Sequence, residues 1–335
     1  MILVTGGTGL LGANLLAELI KRGQSVKAIK RKKSSMQLVE KTFRRANLSL
    51  SGIEWHTADV TDMNSLQEPM NGVENIFHCA AVVSFNPAVA QHMINVNVNG
   101  TANVVNIAIE CGVKKLCHVS STAALGRSDG QLLITEESHW RNSSDNSVYA
   151  ISKYGAEREV WRGMEEGLDA VIVNPSVIVG AGDWKTDSSR IIGQVGKGLR
   201  FYPMGGNAFV DVRDVVSVMM KLMSSSISRE RFLVVSENKS YKELFDIASD
   251  CLGKRKPSIR INKMLSSLAW RADWIRSAMM RQSPLVTREM MDSSSRTYKY
   301  SNEKICATIG HEFIPVKKSV EDSCRIFMDE KKLSG

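Results

Sequence analysis

The stretch Thr5-Gly6-Gly7-Thr8-Gly9-Leu10-Leu11-Gly12 joins a β-rich run, Ile2-Leu3-Val4-Thr5, to a helical pattern of leucines. A Gly-x-Gly-x-x-Gly pattern begins at Gly7, and a Gly-x-x-Gly-x-x-Gly pattern begins at Gly6. One such glycine allows a tight turn at positive φ, another lets a diphosphate approach the backbone, and another lets the helix pack closely on the strand. Free N–H groups and the dipole at the helix start would then hold the diphosphate. The turn therefore predicts a dinucleotide site, with a plain glycine turn as the alternative.

Short β-rich runs alternate with helical patterns as far as about residue 175. After the first strand, further strands are predicted at 25–30, 53–56, 75–79, 115–120 and 170–174. Helical patterns lie between most of them, notably at about 88–111 and 147–165. Such alternation predicts an α/β fold in which helices cover both faces of a parallel sheet.

The pattern changes beyond residue 175. Glycines crowd a loop-rich stretch, after which a strand–helix pair is predicted at about 208–225 and a strand at 231–236. The tail has a mostly helical pattern, including a Met- and Trp-containing stretch near 262–292. These features predict a Rossmann doubly wound parallel sheet with a smaller, mostly helical C-terminal substrate lobe.

The expected division of the chain follows from this change of pattern. Residues 1–174 and about 208–236 would form the dinucleotide-binding domain. Residues about 175–207 and 237–335 would form the substrate-binding lobe.

The composition is that of an ordinary globular protein, with 335 residues, 43% hydrophobic and 24% charged. No run approaches the roughly 18 apolar residues of a membrane helix. Met1 is followed at once by strand-like residues rather than by a signal peptide. The sequence therefore predicts a cytoplasmic location and no membrane partner.

The cysteine spacing and the distribution of charge argue against a metal site and against a nucleic-acid-binding site. The six cysteines are scattered without a C-x-x-C pair, which predicts reduced thiols and no metal site. His78 lies in an apolar strand pattern, which favours a structural role over that of a ligand. The net charge of +9 is spread in short clusters, and no nucleic-acid-binding motif accompanies it. A small-molecule substrate is expected, and no nucleic-acid partner.

The second predicted strand ends in Lys30-Arg31-Lys32-Lys33. NAD-binding sites usually carry a carboxylate about here, which hydrogen-bonds the ribose 2′-hydroxyl. Basic groups instead attract a 2′-phosphate, and Arg31 is the best single candidate because its guanidinium could also stack on adenine. The sequence predicts NADP as the cofactor, with NAD as the alternative, and some of these cations could simply be solvated.

Tyr149 and Lys153 stand four residues apart in a predicted helix, so they share one face. A neighbouring ammonium favours the phenolate form of a tyrosine and suits it to exchange a proton with a carbonyl or alcohol oxygen. The pair alone is weak as a motif, but it follows the fifth predicted strand, whose end carries hydroxyl groups at 120–122. Ligands bind at this edge of such sheets.

Together these motifs resemble the extended short-chain dehydrogenase/reductase superfamily, the NAD-dependent epimerase/dehydratase family, over nearly the whole chain. Besides the glycine turn and the tyrosine–lysine pair, several segments match family motifs in the right order. They are Asp59-Val60, His78-Cys79-Ala80-Ala81, Asn97-Val98-Asn99-Gly100-Thr101, Asn174–Gly180 and Phe209–Val215.

The resemblance implies roles for individual residues. Tyr149 would be the acid/base, Lys153 would tune it and bind the nicotinamide ribose, and Ser121 would bind the substrate oxygen, with Ser120 or Thr122 as alternatives. A structural role and a site role for Asn97 are equally supported. The implied cofactor contacts are Gly6, Thr8, Gly9, Leu10, Leu11, Gly12, Arg31, Asp59, Val60, Ala80, Ala81, Lys153, Pro175, Ser176 and Ile178.

The resemblance is closest in look to the dihydroflavonol-reductase-like and 3β-hydroxysteroid-dehydrogenase-like branch. Dehydratases of the superfamily carry Asp-Glu after the catalytic hydroxyl, whereas Thr122-Ala123 follows Ser121 here. The expected activity is that of an NADP-dependent carbonyl reductase or alcohol dehydrogenase, with an apolar pocket lined in part by Val82–Phe85. A nucleotide-sugar epimerase and a non-catalytic NADP-binding sensor are the alternatives. Relatives are often dimers through helices such as those at 88–111 and 147–165, which implies a homodimer.

Overall fold

The computed structural model describes residues 1–126, 133–143, 146–261 and 288–332. Its strands, in chain order, are β1 (Ile2–Thr5), β2 (Val26–Lys30), β3 (Ile53–Thr57), β4 (Asn75–His78), β5 (Lys115–Val119), β6 (Ala170–Pro175), β7 (Val177–Val179), β8 (Phe201–Tyr202), β9 (Gly206–Asp211), β10 (Glu230–Val234), β11 (Glu237–Ser240) and β12 (Ile259–Arg260).

Helices connect these strands. Those before residue 262 are α1 (Leu10–Lys21), α2 (Gln37–Arg45), α3 (Met63–Met70), α4 (Ala90–Ile94), α5 (Gly100–Glu110), α6 (Val148–Glu165), α7 (Arg190–Gly196), α8 (Val212–Met223) and α9 (Tyr241–Cys251). The described part of the tail adds α10 (Arg288–Ser295), α11 (Glu303–Ile309) and α12 (Val316–Lys332). None of these helices is both long enough and apolar enough to cross a bilayer.

The main sheet has the order β10-β6-β5-β4-β1-β2-β3 within the described residues. Each neighbouring pair is parallel. Strand order reverses beside β1, which pairs with β2 on one side and β4 on the other. A cleft therefore opens between the carboxyl ends of β1 and β4, where ligands bind in doubly wound sheets.

Both faces of this sheet are buried, because successive strand residues point to opposite sides. On β1, Leu3 joins a core formed with α3, α5 and α6, whereas Val4 joins one formed with α1, α2 and α8. On β4, Ile76 joins the same core as Leu3, and Phe77 joins the same core as Val4. Covering both faces requires the near-continuous apolar strands that the sequence shows.

A smaller lobe is built on a three-stranded sheet with the order β11-β9-β7. Its core lies between this sheet and α7, α9 and α12. The predicted fold class, a Rossmann sheet with a smaller, mostly helical C-terminal lobe, is confirmed. β9 pairs in the lobe's sheet while β10 forms an edge of the main sheet, and the bounds of the two domains stay a prediction.

Two helical predictions need comment. The segment predicted as one helix at 88–111 consists of α4, a π-helical turn at Asn95–Asn99 and α5. Such π turns often occur at functional sites. Of the Met- and Trp-containing stretch predicted as helical near 262–292, residues 262–287 lie outside the described residues, and the remainder is the start of α10.

Candidate active site

Three of the four glycines in the turn after β1 have clearly different environments. Gly6 has φ +68°, and a Cβ there would lie 2.6 Å from the Ala80 nitrogen. A Cβ on Gly12 would lie 2.2 Å from the Gly6 carbonyl oxygen, so only glycine lets α1 approach the turn this closely. Within the described parts of the chain, a Cβ on Gly9 would come within 4 Å of only the Gly6 oxygen, at 3.5 Å. Gly9 therefore presents open backbone toward the cleft.

The start of α1 is left without a side-chain cap. Gly9 is its N-cap residue, its first turn makes no side-chain cap hydrogen bond among the described residues, and that turn holds no acidic residue. The N–H groups of Leu10 and Leu11 lie in the first turn of α1, where backbone donors have no acceptor within the helix. An anion bound from outside would satisfy these donors and the positive end of the helix dipole.

Predicted adenosine contacts lie at the carboxyl ends of β2 and β3. Arg31 follows β2 directly and is exposed, and its N–H donates to Ser34 Oγ in a short turn. Asp59 is half-buried, and its Oδ1 accepts from the Thr61 N–H at 3.0 Å and the Thr61 hydroxyl at 2.8 Å. Val60 is buried after it. Both segments thus face the same edge of the sheet as the glycine turn.

A buried hydrogen-bond chain supports the strand ends beside the glycine turn. Thr5 Oγ1 lies 2.7 Å from His78 Nδ1, and Thr101 Oγ1 lies 2.9 Å from His78 Nε2. Because the Thr101 hydroxyl donates to the Asn97 carbonyl at 2.6 Å, His78 must donate through Nε2 and accept through Nδ1. Burial, assisted by Lys153, lowers the pKa of His78 to about 3, so this imidazole is neutral. Ala80 completes the chain, since its N–H donates to Thr5 Oγ1 at 3.1 Å.

From the π turn, the Asn97 side chain hydrogen-bonds both the segment after β4 and helix α6. Its Oδ1 accepts from the Val82 N–H at 2.7 Å, while its amide donates to the Val82 carbonyl and the Ser152 hydroxyl, both at 2.9 Å. The side chain is 1% exposed. Asn97 therefore fixes the segment after Ala80-Ala81 against α6, one residue from Lys153.

Lys153 lies beneath the cleft, with its Nζ donating to the Val119 carbonyl at 2.7 Å. The side chain is 2% exposed. Burial lowers the pKa of Lys153 to about 8, while the nearby Glu157 acts in the opposite direction. Tyr149, one turn earlier on the same face of α6, is half-buried and makes an edge-to-face contact with Phe85, with ring centroids 6.0 Å apart. The lysine thus contacts the end of β5, and the tyrosine lies one helical turn before it.

The three hydroxyl residues after β5 have different surroundings. Ser120 is buried and donates to Glu157 Oε2 at 2.7 Å. Thr122 is buried in the short 3₁₀ turn that follows. Ser121 is half-buried, and its Oγ accepts from the Ala123 N–H at 3.1 Å, which leaves its own proton to donate. Of the three, Ser121 has the surroundings that suit contact with a substrate oxygen.

The segment after β6 also lies at the carboxyl edge of the main sheet. Pro175 ends β6, and the Ser176 N–H donates to the Val234 carbonyl at 3.2 Å. The Ser176 Oγ is buried without a hydrogen-bond partner in the described part of the chain. The Ile178 carbonyl accepts from the Ser188 hydroxyl. A buried hydroxyl without a partner costs free energy unless a ligand or water supplies one, which suits a bound polar group.

Several residues of the site could not be picked out from the sequence. The buried Glu157 forms an ion pair of 3.0 Å with the partly exposed Arg231 behind Lys153. Glu289, from the C-terminal lobe, accepts from the Val148 N–H at 2.7 Å at the start of α6. Only the position of Glu157, four residues after Lys153 on the same helix face, is a signal that local spacing could have offered.

Comparisons with known proteins agree with this geometry. The sequence profile of the "NAD dependent epimerase/dehydratase family" matches residues 2–234. The chain is 33% identical over 263 residues to "Sterol demethylase protein B" of Methylococcus capsulatus, covering 77% of this chain and 76% of that one. It is 29% identical over 342 residues to a "Putative dihydroflavonol 4-reductase" of Synechocystis, covering 97% and 94%.

A solved structure gives the same fold at lower identity. The UDP-glucose 4-epimerase of Thermotoga maritima superposes with a TM-score of 0.78 at 18% identity, covering 98% of this chain and 99% of that one. The expected class is therefore confirmed: family members and relatives are NAD(P)-dependent oxidoreductases, epimerases and dehydratases. This chain belongs to the NAD dependent epimerase/dehydratase family.

Proposed function

We propose that this chain is an NADP-dependent oxidoreductase that transfers hydride between the nicotinamide and a ketone/alcohol pair. The observation that carries the proposal is the buried Lys153, which ties the helix of Tyr149 to Val119 at the end of β5, two residues before Ser121. This contact gathers an acid/base, a cation and a hydroxyl donor at the carboxyl edge of the sheet. That edge also carries the glycine turn.

The residues present fit a dinucleotide. Gly9 and the uncapped start of α1 would bind the diphosphate, together with Gly6, Thr8, Leu10, Leu11 and Gly12. Asp59 and Val60 would lie against the adenine, while Ala80 and Ala81 would line the middle of the cleft. Pro175, Ser176 and Ile178 would line the nicotinamide side, where the unpartnered Ser176 hydroxyl offers a hydrogen bond.

NADP is favoured over NAD by the charge after β2. Arg31, Lys32 and Lys33 are all exposed at the carboxyl edge. No carboxylate occupies this stretch, so a 2′-phosphate would meet attraction and no repulsion. Arg31 is the first residue after the strand and the natural partner for the phosphate, since a guanidinium can donate two parallel hydrogen bonds.

The side chains would divide the chemistry of carbonyl reduction between them. The bound coenzyme supplies the hydride. Tyr149 donates a proton to the substrate oxygen, and the Ser121 hydroxyl donates a hydrogen bond to the same oxygen. The Lys153 ammonium stabilises the phenolate that remains on Tyr149. In alcohol oxidation the same groups act in reverse.

A reductase is favoured over an epimerase, the second candidate. The relative from Synechocystis is named a putative dihydroflavonol 4-reductase and matches almost the whole chain, whereas the UDP-glucose epimerase is similar at 18% identity. The contact between Phe85 and Tyr149 places an aromatic ring beside the proposed acid/base, and Val83 is 64% exposed nearby in sequence. These apolar groups suit an apolar ketone better than a sugar.

Nicotinamide absorbance tests the proposal. The chain is mixed with NADPH or NADH and a panel of ketones and aldehydes, and net loss of absorbance is followed. We expect net oxidation of NADPH, which an epimerase would not produce. Tyr149→Phe should abolish turnover yet bind NADPH, while Tyr154→Phe, on the same helix but stacked on Trp140, should keep turnover. Unchanged turnover in Tyr149→Phe would refute the assigned role.

A further inference from the structure

A buried carboxylate lies under the proposed reaction centre. Glu157 follows Lys153 by one helical turn on α6 and is 2% exposed. Its Oε2 accepts from the Ser120 hydroxyl and the Asn174 amide, both at 2.7 Å. Its Oε1 accepts from Arg231 at 3.0 Å and Trp161 at 3.4 Å. An ionised group this deeply buried needs such complete hydrogen bonding to persist.

These contacts bracket Ser121. Ser120, directly before it, is bound to Glu157 through its hydroxyl. Asn174, at the end of β6, donates to Glu157 and also to the Ser121 carbonyl at 3.0 Å. The carboxylate therefore fixes the backbone on which the Ser121 hydroxyl is mounted, from both sides.

Arg231 extends the same network into the loop before α6. Besides Glu157, this guanidinium on β10 donates to the Glu136 carbonyl at 3.0 Å and lies 3.4 Å from the Ser138 carbonyl. Glu136 in turn accepts from the Leu233 N–H at 2.7 Å. The network thus connects β10, the loop at 135–139 and α6.

We infer that Glu157 is a positioning residue for the proposed reaction, because its carboxylate orients Ser121 through Ser120 and Asn174 and faces Lys153 with a negative charge. The inference rests on the proposed function for its link to hydride transfer. Glu157 touches neither of the proposed ligands in this scheme and acts through its neighbours.

The other titratable groups near Lys153 do not supply this negative charge. Burial keeps His78 and His118 neutral, and it raises the pKa of Cys79 to about 12. Arg231 is a second cation, which Glu157 balances. Without Glu157, the buried Lys153 and the partly exposed Arg231 would share this region with no carboxylate between them among the contacts described.

Glu157→Gln removes the charge at constant shape. Either orientation of the amide turns its NH₂ group toward a donor that cannot accept, the Asn174 amide on one side or the Arg231 and Trp161 N–H groups on the other, so the hydrogen-bond network is broken as well. We expect the titration midpoint of Lys153 to fall by about one pH unit or more, because the balancing charge is lost. We also expect kcat at pH 8 to fall about tenfold or more, with KM for NADPH nearly unchanged.

The midpoint is measured by NMR of the chain labelled with ¹³C at lysine Cε, and Lys153→Met identifies the signal. Glu166→Gln is the matched control, since Glu166 is an exposed carboxylate paired with Arg162 at the end of the same helix. A folded Glu157→Gln whose kcat and Lys153 midpoint both equal those of the parent overturns the inference.

Two further results distinguish failure of this inference from failure of the variant to fold and from failure of the proposed function. If Glu157→Gln does not fold, Ser120→Ala tests the same interaction from its partner: a several-fold fall in kcat supports the inference, and an unchanged kcat overturns it. If the parent transfers no hydride to any substrate, the proposed function fails. The NMR measurement needs no turnover, so it still decides whether Glu157 governs Lys153.

Discussion

Alanine at two glycines of the first turn should separate folding from cofactor binding. At Gly12 the added Cβ would lie 2.2 Å from the Gly6 oxygen, so the helix must retreat by about 1 Å to reach an ordinary contact. Overpacking of this kind costs roughly 1–3 kcal/mol, or a fall in Tm of about 2–10 °C. At Gly9 the nearest atom is 3.5 Å away and φ is −86°, so alanine should cost less than about 1 kcal/mol.

Cofactor affinity should respond differently from stability. The Gly9 methyl would fill the space through which the diphosphate is proposed to reach the first turn of α1, so Gly9→Ala should weaken NADPH binding at least tenfold. Gly12→Ala should lose both stability and affinity. Thermal unfolding and titration of NADPH fluorescence measure the two quantities. A Gly9→Ala variant that binds NADPH as the parent does would show that the diphosphate does not lie over Gly9.

Three further results are expected. Arg31→Ala should weaken NADP binding about 10- to 100-fold while changing NAD binding little, as measured by equilibrium titration; equal losses would remove the argument for NADP. Ser121→Ala should lower kcat/KM more than tenfold with little change in Tm, whereas Ser120→Ala should lower Tm, because it deprives a buried carboxylate of a donor; the reverse pattern would exchange their roles. The pKa of Lys153 is lowered from 10.5 to about 8, so its charge is present below that pH and lost above it. Carbonyl reduction should therefore decline as the pH rises through about 8, and a decline seen only near 10.5 would contradict this.

The elements of the main sheet could be predicted because their signals are local. The strand predicted at 115–120 is observed at Lys115–Val119, and the helix predicted at 147–165 at Val148–Glu165. Apolar runs and leucine spacing report burial on one or both faces, and this sheet is buried on both. The π turn at Asn95–Asn99 carries no such signal, since it arises where Asn97 bonds to Val82 and Ser152.

The strand pairing of the smaller lobe is harder to predict from the sequence. Strand β9 has the same apolar pattern as the strands of the main sheet, so its pairing with β7 and β11 could not be inferred from composition. Pairing partners are set by tertiary packing, and single-strand patterns do not specify them.

The residues of the candidate site likewise fall into those that local spacing predicts and those that depend on remote partners. The glycine turn and the Tyr149–Lys153 pair follow from spacing within one segment, whereas the choice of Ser121 over Ser120 depends on which hydroxyl meets Glu157. That contact spans 37 residues of sequence, and the Arg231 contact spans 74. Side-chain partners this remote leave no periodic trace in a single sequence.

These remote partners also explain how the proposed acid/base is held in place. Among the contacts that hold α6 are Glu289 of the C-terminal lobe at its first N–H, the end of β5 through Lys153, and Arg231 of β10 through Glu157. Burial of Glu289 raises its pKa, so acid would protonate this carboxylate and weaken the bond at the helix start. Since Tyr149 lies between the first two contacts, a change at either one would move the phenol relative to Ser121. Positioning of the reactive groups is therefore a property of the assembled sheet and lobe, although the groups themselves come from two short motifs.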